Sequence, residues 1–179
     1  MTNAAKHFDL IFGVDFHIVL APPAAQPTPV PSPYVGMVFD PFDYLPLIGA
    51  TVFVNGLPRA QAGTGGVATP SHLPLGGPFG PPPPSNESEV FMGSSTVSID
   101  GDAQSHNGLP VLSCQTVGMP APIRKKGQPP KSLVLPTSTV MAIPSGPPVI
   151  VGGPPTISLS ALGVRAGLRL GPVQHRVAV

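Results

Sequence analysis

One short apolar segment recurs three times along the chain, as Thr51-Val52-Phe53-Val54, Thr96-Val97-Ser98-Ile99 and Thr156-Ile157-Ser158-Leu159. Each copy lies a few residues after a glycine (Gly49, Gly93 and Gly153). A period of two with β-branched residues suits a half-buried strand, whose pleated surface accommodates them. The first two copies run into Asn55-Gly56 and Asp100-Gly101. Those dipeptides tolerate the positive φ angles of a type I′ turn, so each predicts a hairpin. The third copy lacks such a turn. A second echo overlaps the first: Asn55-Gly56-Leu57-Pro58 returns as Asn107-Gly108-Leu109-Pro110, each leading into a short extended segment. Offsets of 45 and 60 residues between copies do not fit a solenoid of fixed period. They predict imperfect repeats inside one small β domain.

Composition sharpens this picture. Proline (28) and glycine (21) exceed a quarter of the 179 residues, which by itself suggests low complexity. Yet 41% of residues are apolar and only 9% charged, the reverse of a disordered chain, so apolar surface must be buried. Prolines throughout leave few windows for an uninterrupted helix. The dense stretches Pro22 to Pro33, Gly76 to Pro84 and Pro120 to Pro130 read as extended or polyproline surface loops. Ser160 through Leu162 and Arg165 to Arg169 suits a short helix closed by Gly171-Pro172, or equally a linker. The expectation is an all-β domain of short strands and hairpins with long Pro/Gly-rich loops over residues 1–163. A basic tail or linker follows over 164–179.

Charge is distributed unevenly. All eight acids lie at or before Asp102, opposed there only by Lys6 and Arg59, whereas residues 103–179 carry seven bases and no acid. Mutual attraction between the halves accounts for this more simply than a basic surface awaiting a partner. Arg124, Lys125, Lys126 and Lys131 lack the interleaved aromatics of a nucleic-acid groove, so no nucleic-acid partner is expected. A single cysteine excludes an internal disulfide, which fits folding in a reducing cytoplasm. The first residues lack the succession of a signal peptide, and no stretch approaches the ~18 apolar residues of a membrane span. Export, if it occurs, is expected by a route that reads no N-terminal signal.

Few side chains can do chemistry: His7, His17, His72, His106, His175, Cys114 and a sparse set of acids. Zinc prefers four imidazole or thiolate ligands, and a small β domain gains stability from such a tie between distant loops. His17, His72, His106 and Cys114 would supply three nitrogens and a sulfur, with His7 as substitute for His106. No CxxC or HxxxH pair supports that set, and buried or solvated histidines with a core cysteine remain the simpler alternative. A Cys/His hydrolase using Cys114 with His72 or His106 is the enzymatic competitor, but Ser113 and Gln115 do not form a nucleophile elbow. The acid pairs Asp40/Asp43, Glu87/Glu89 and Asp100/Asp102 read as solvated turns, and Gly63-Thr64-Gly65-Gly66 lacks the lysine of a phosphate loop.

The run Gly49 to Gly63 resembles the core of a PAAR-repeat domain, named for a Pro-Ala-Ala-Arg signature after such a strand and turn, and Gly93 to Gly101 is similar to it. Phe8-Asp9, Val14-Asp15-Phe16-His17, Gly36-Met37, Phe39-Asp40-Pro41-Phe42-Asp43 and Leu109-Pro110-Val111-Leu112-Ser113-Cys114 extend the likeness to the PAAR-like module at the start of Rhs-type toxins, over residues 7–163. Pro58-Arg59-Ala60-Gln61 departs from the signature order, and Thr64 stands where an aspartate often follows the glycine. The resemblance implies a pointed, non-enzymatic β cone that caps the trimeric valine-glycine repeat protein (VgrG) of a type VI secretion spike, one tip per trimer. It implies a zinc near the apex held by three histidines and a cysteine (His17, His72, His106 and Cys114), and a C-terminal toxin as cargo. Such a tip would be cytoplasmic before firing, then delivered with transient membrane contact. Under this reading Thr51, Val52, Thr96, Val97, Thr156 and Ile157 face the spike. A proline-rich structural protein, with no metal and no trimeric partner, is the remaining alternative.

Overall fold

A computed structural model describes residues 1–23, 26–47, 49–68, 72–80, 83–84, 86–114 and 139–158. Among them the protein is all-β apart from one 3-10 turn, Pro41–Tyr44. In chain order the strands are β1 (Thr2–Asn3), β2 (Leu10–Ala21), β3 (Gln26–Val38), β4 (Phe53–Val54), β5 (Leu57–Pro58), β6 (Gly65–Ala68) and β7 (Glu87–Val90). They continue with β8 (Met92–Ser94), β9 (Ser98–Ile99), β10 (Asp102–Ala103), β11 (Val111–Ser113), β12 (Thr139–Ile143), β13 (Ile150–Val151) and β14 (Pro155–Ile157). The expected C-terminal helix, the basic tail and the Pro120 to Pro130 stretch lie outside the described residues.

Three backbone segments meet in a closed cycle. Ala5 N–H donates to the Ser105 carbonyl, Ser105 to Ala60, and Ala60 to Ala5, each at 2.9 Å. A second cycle surrounds the first, from His7 to Pro58, Ala62 to Ala103 and Asn107 to Asn3, again each at 2.9 Å. Identical partners at identical offsets define a pseudo-threefold axis that relates residues 3–7, 58–62 and 103–107. Ala5, Ala60 and Ser105 are fully buried, and only such small side chains fit where three backbones converge. Each segment then turns through a left-handed residue, Phe8 (φ 64°), Gly63 (φ 97°) or Gly108 (φ 80°). Two turns use glycine, which has no Cβ to clash, and the third places the bulky Phe8 in that region.

Each segment is fed by a two-stranded hairpin. The first pairs β4 with β5, and the second pairs β9 with β10. Their tips are Asn55-Gly56 (φ 54° and 79°) and Asp100-Gly101 (φ 50° and 89°), the double positive φ that the sequence anticipated. The third pairs β1 with β13, two pieces of chain nearly 150 residues apart, so no turn joins them. Equivalence is confirmed by Arg59, Gln104 and Ala4, whose N–H groups donate to the carbonyls of Val52, Val97 and Val149. The third copy expected at Thr156–Leu159 is thereby corrected. Thr156 and Ile157 pair in β14 with Gly93 and Met92 of β8, while the third corner is built by Val149–Val151 with Thr2–Asn3. The Asn107-Gly108 echo likewise belongs to the other turn class, equivalent to Ala62-Gly63 rather than to Asn55-Gly56.

Beyond the axis the chain forms one six-stranded antiparallel sheet in the order β11-β7-β6-β3-β2-β12, whose first and last strands lie against each other. Ile11, Tyr34, Val38, Val90, Val111 and Cys114 join Ala5 and Ala60 in its core. Close approach of β3 to β6 requires Gly36, where a Cβ would come within 2.5 Å of the Val67 carbonyl oxygen. The stretch from Pro22 to Pro33, expected as an extended or polyproline surface loop, is extended but largely strand rather than loop: β3 pairs with β2 over all twelve residues of β2. The register explains how. Pro27, Pro29, Pro31 and Pro33 fall at alternate positions, so every missing N–H points to the same side, away from β2. Beyond the β6 contact at residues 36–38 that side of β3 has no strand neighbour among the described residues.

A buried charge network ties the repeats together. Arg59 is fully buried and pairs through Nη1 with Asp43 (2.7 Å) and through Nη2 with Asp100 (2.9 Å). Asp43 also meets His7 Nε2 at 3.0 Å, and Asp100 accepts from the Thr51 N–H and hydroxyl. Burial pushes the Asp43 carboxyl up, but its bonds to His7 and Arg59 outweigh this and hold it below the ordinary value. Removing one partner of such a network strands the other charges. Arg59→Ala is expected to cost about 3–5 kcal/mol, measured by urea unfolding. Because the Asp43 carboxyl is depressed, its stabilisation is complete above about pH 4 and is lost as pH falls through its folded value. Asp43→Asn should therefore flatten the loss of stability below about pH 4 in acid titrations followed by circular dichroism.

Candidate metal centre

Strand alternation places Asp15 and His17 on the inner face of β2, opposite Ser32 and Val30 of β3. Cys114 follows β11 directly. Its N–H donates to the Glu87 carbonyl at 2.6 Å, and a left-handed backbone (φ 49°) turns its side chain inward. His72 arrives from the connection between β6 and β7, where the Asn86 side chain accepts its backbone N–H at 2.7 Å. Its side chain is only 2% exposed, so the exposure of this residue belongs to its backbone.

Four donor atoms converge. Asp15 Oδ2 lies 3.3 Å from His72 Nε2 and 3.6 Å from His17 Nε2, and Cys114 Sγ lies 3.6 Å from both Asp15 Oδ2 and His17 Nε2. All four fall within 4.8 Å of one another. A tetrahedral ion with bonds of about 2.0–2.3 Å has edges of about 3.3–3.8 Å, so these spacings match a shared ion more closely than a set of ordinary hydrogen bonds. His72 Nε2 is buried without a hydrogen-bond partner, as expected of a nitrogen whose lone pair is meant for a metal. A carboxylate and a thiolate would together neutralise a dication in this interior. The cluster can therefore hold a metal ion.

Its surroundings favour the ionised carboxylate. Burial raises the Asp15 carboxyl, but the close approach of the His17 and His72 rings and the hydroxyl of Ser113 overcome that and bring it from 3.8 down to about 2. The Ser113 hydroxyl donates to Asp15 Oδ1, leaving Oδ2 for the ion. Phe79 packs edge-on against His17, and Tyr34 against His72, with ring centroids 5.8 and 5.3 Å apart. Four protein donors leave no open coordination position, which is the pattern of a structural site.

Three of the four ligands anticipated from the sequence, His17, His72 and Cys114, are brought together here. His106 is not among them. Its segment is bridged to Ala4 beside the axis, and its Nδ1 lies 3.1 Å from the Asn107 carbonyl. The substitute, His7, is committed to Asp43, and His175 lies outside the described residues. Asp15 fills the fourth position instead. The signal for it was the Asp15-x-His17 spacing, which puts both side chains on one face of a strand.

Comparison of the chain with protein-family models, curated proteins and solved structures finds no match.

Elemental analysis of the purified protein is expected to find about one metal ion per chain, lost in Cys114→Ala and Asp15→Ala and retained in His106→Ala. Ser113→Ala should weaken metal affinity about 10–100-fold, measured by competition with a chelator, because it removes the bond that orients the carboxylate. Metal loss in His106→Ala with retention in Asp15→Ala would overturn the assignment.

Proposed function

We propose that this chain is a non-enzymatic cap for a threefold-symmetric protein, in the manner of the PAAR-like tip that its sequence resembles. The partner on this reading is the trimeric valine-glycine repeat spike protein of type VI secretion. The observation that carries it is the double cycle of backbone hydrogen bonds about one axis. A trimer offers three identical sites around its axis, and a single chain engages all three only by presenting its contact three times. Engaging them together multiplies affinity through effective concentration.

The corners are suited to such contact. Val52, Val97 and Val149 occupy equivalent positions, and beside them stand Phe53, Ser98 and Ile150. Phe53 and Ile150 are more than half exposed, unusual for side chains of that size without a partner. Thr51, Val52, Thr96 and Val97 remain in the proposed contact, whereas Val149 and Ile150 replace Thr156 and Ile157.

Zinc is the ion this reading assigns to the metal centre. It accepts the mixed N, S and O donors in tetrahedral geometry, and as a redox-inert ion it would pin β2, β11 and the His72 connection without side chemistry. The hydrolase alternative pairs Cys114 with His72 or His106, but Cys114 is fully buried, the His72 side chain is 2% exposed and His106 lies outside the cluster, so a buried sulfur would have to meet the substrate carbonyl. A stiff, charge-poor tip fits delivery across a membrane from the cytoplasm, with a fused or associated toxin as cargo.

Native mass spectrometry with a trimeric valine-glycine repeat spike protein should give one chain per three spike chains. Phe53→Asp or Ile150→Asp should weaken the complex about 30-fold, whereas Ser98→Asp, at the polar corner, should change it by less than about threefold. Failure to form any complex with such trimers would sink the proposal.

A further inference from the structure

The long β2–β3 hairpin carries a face that neither the metal centre nor the threefold corners use. Asp15 and His17 point inward, so the even-numbered residues of β2 point outward, and from Leu10 to Leu20 every one of them is Leu, Phe, Val or Ile. Register sets them opposite Met37, Val35 and the four alternating prolines of β3. Twelve facing positions therefore carry no charged group and no side-chain hydrogen-bonding group. Leu10, Phe12 and Val14 are 42%, 50% and 39% exposed. The face continues onto Val67 of β6 and Ile143 of β12, both also exposed.

We infer that this face pairs with the same face of a second copy of the chain. A flat apolar sheet face is covered best by another sheet face about 10 Å away, with the two sets of side chains interdigitating. Seven of these apolar residues are exposed and five half-buried, and together they offer on the order of 800 Å² per copy, about what each partner contributes to a stable interface of standard size. Two such faces meet without buried charge, and a net charge of +1 sets no general repulsion between copies. A twofold operation brings one patch onto itself, so the contact closes at a dimer. The prolines keep it closed: on the side away from β2, β3 has no N–H to donate at residues 27, 29, 31 or 33, so copies cannot add edge to edge there. Pairing goes beyond the capping role and uses none of its residues.

Sedimentation equilibrium of the full chain from micromolar to sub-millimolar concentration tests this. The expected result is a reversible dimer, weakened at least about tenfold in Phe12→Glu and in Val14→Glu, with circular dichroism and metal content unchanged. Pro29→Thr combined with Pro31→Thr restores two donors and should add species larger than the dimer. A wild-type chain that stays monomeric throughout overturns the inference, as does a Phe12→Glu variant that dimerises as tightly as wild type. A monomer that instead binds phosphatidylcholine vesicles through Phe12 assigns the face to lipid and equally overturns it.

Discussion

Three hydrogen bonds between Ala5, Ala60 and Ser105 hold the rest of the molecule in place. Each N–H has its acceptor on the next segment around the axis, so no pair forms a complete ladder alone and the third bond exists only when all three segments are present. The side chains at this point are two methyl groups and a hydroxymethyl, all fully buried. A larger residue at any of the three would separate backbones that the cycle needs at 2.9 Å. The three corners inherit their spacing from that contact.

Small cores need ties, and this one has a buried ionic network and a second cluster that can hold a metal ion. Near the axis, Arg59 joins the 3-10 turn through Asp43 to the second hairpin through Asp100. Farther along β2, four ligands gather from β2, the end of β11 and the connection before β7. Ionic pairing serves where a guanidinium can fork between two carboxylates, and a shared metal ion could serve where two imidazoles, a carboxylate and a thiol face one another. Lys6, buried against Asp9, adds a smaller tie by reaching the carbonyl of Ser145.

What was legible in the sequence was local. Asn55-Gly56 and Asp100-Gly101 announced their hairpins because turn chemistry is decided by two adjacent residues. His17, His72 and Cys114 stood out because so few side chains here ligate metals. Asp15 was hidden by the expectation of three imidazoles, although its spacing from His17 showed a shared strand face. The third repeat could not be read from periodicity, since its halves, Thr2–Asn3 and Ile150–Val151, stand at opposite ends of the described chain. Proline density misled over residues 26–33 because composition ignores parity: four prolines at successive positions would break a strand, while four at alternate positions leave one whole side able to pair.

The divided third hairpin sets an order of events during synthesis. The central cycle has all its members once residue 107 has been made, and two of the hairpins are then complete. The remaining one is half a ribbon, with Thr2 and Asn3 waiting for Ile150 and Val151. Closure of that side is the longest-range strand pairing among the described residues and belongs among the slowest steps of folding. A nascent polypeptide thus carries one unfinished corner until Ile150 and Val151 leave the ribosome, and a product truncated before them would reveal itself by that gap.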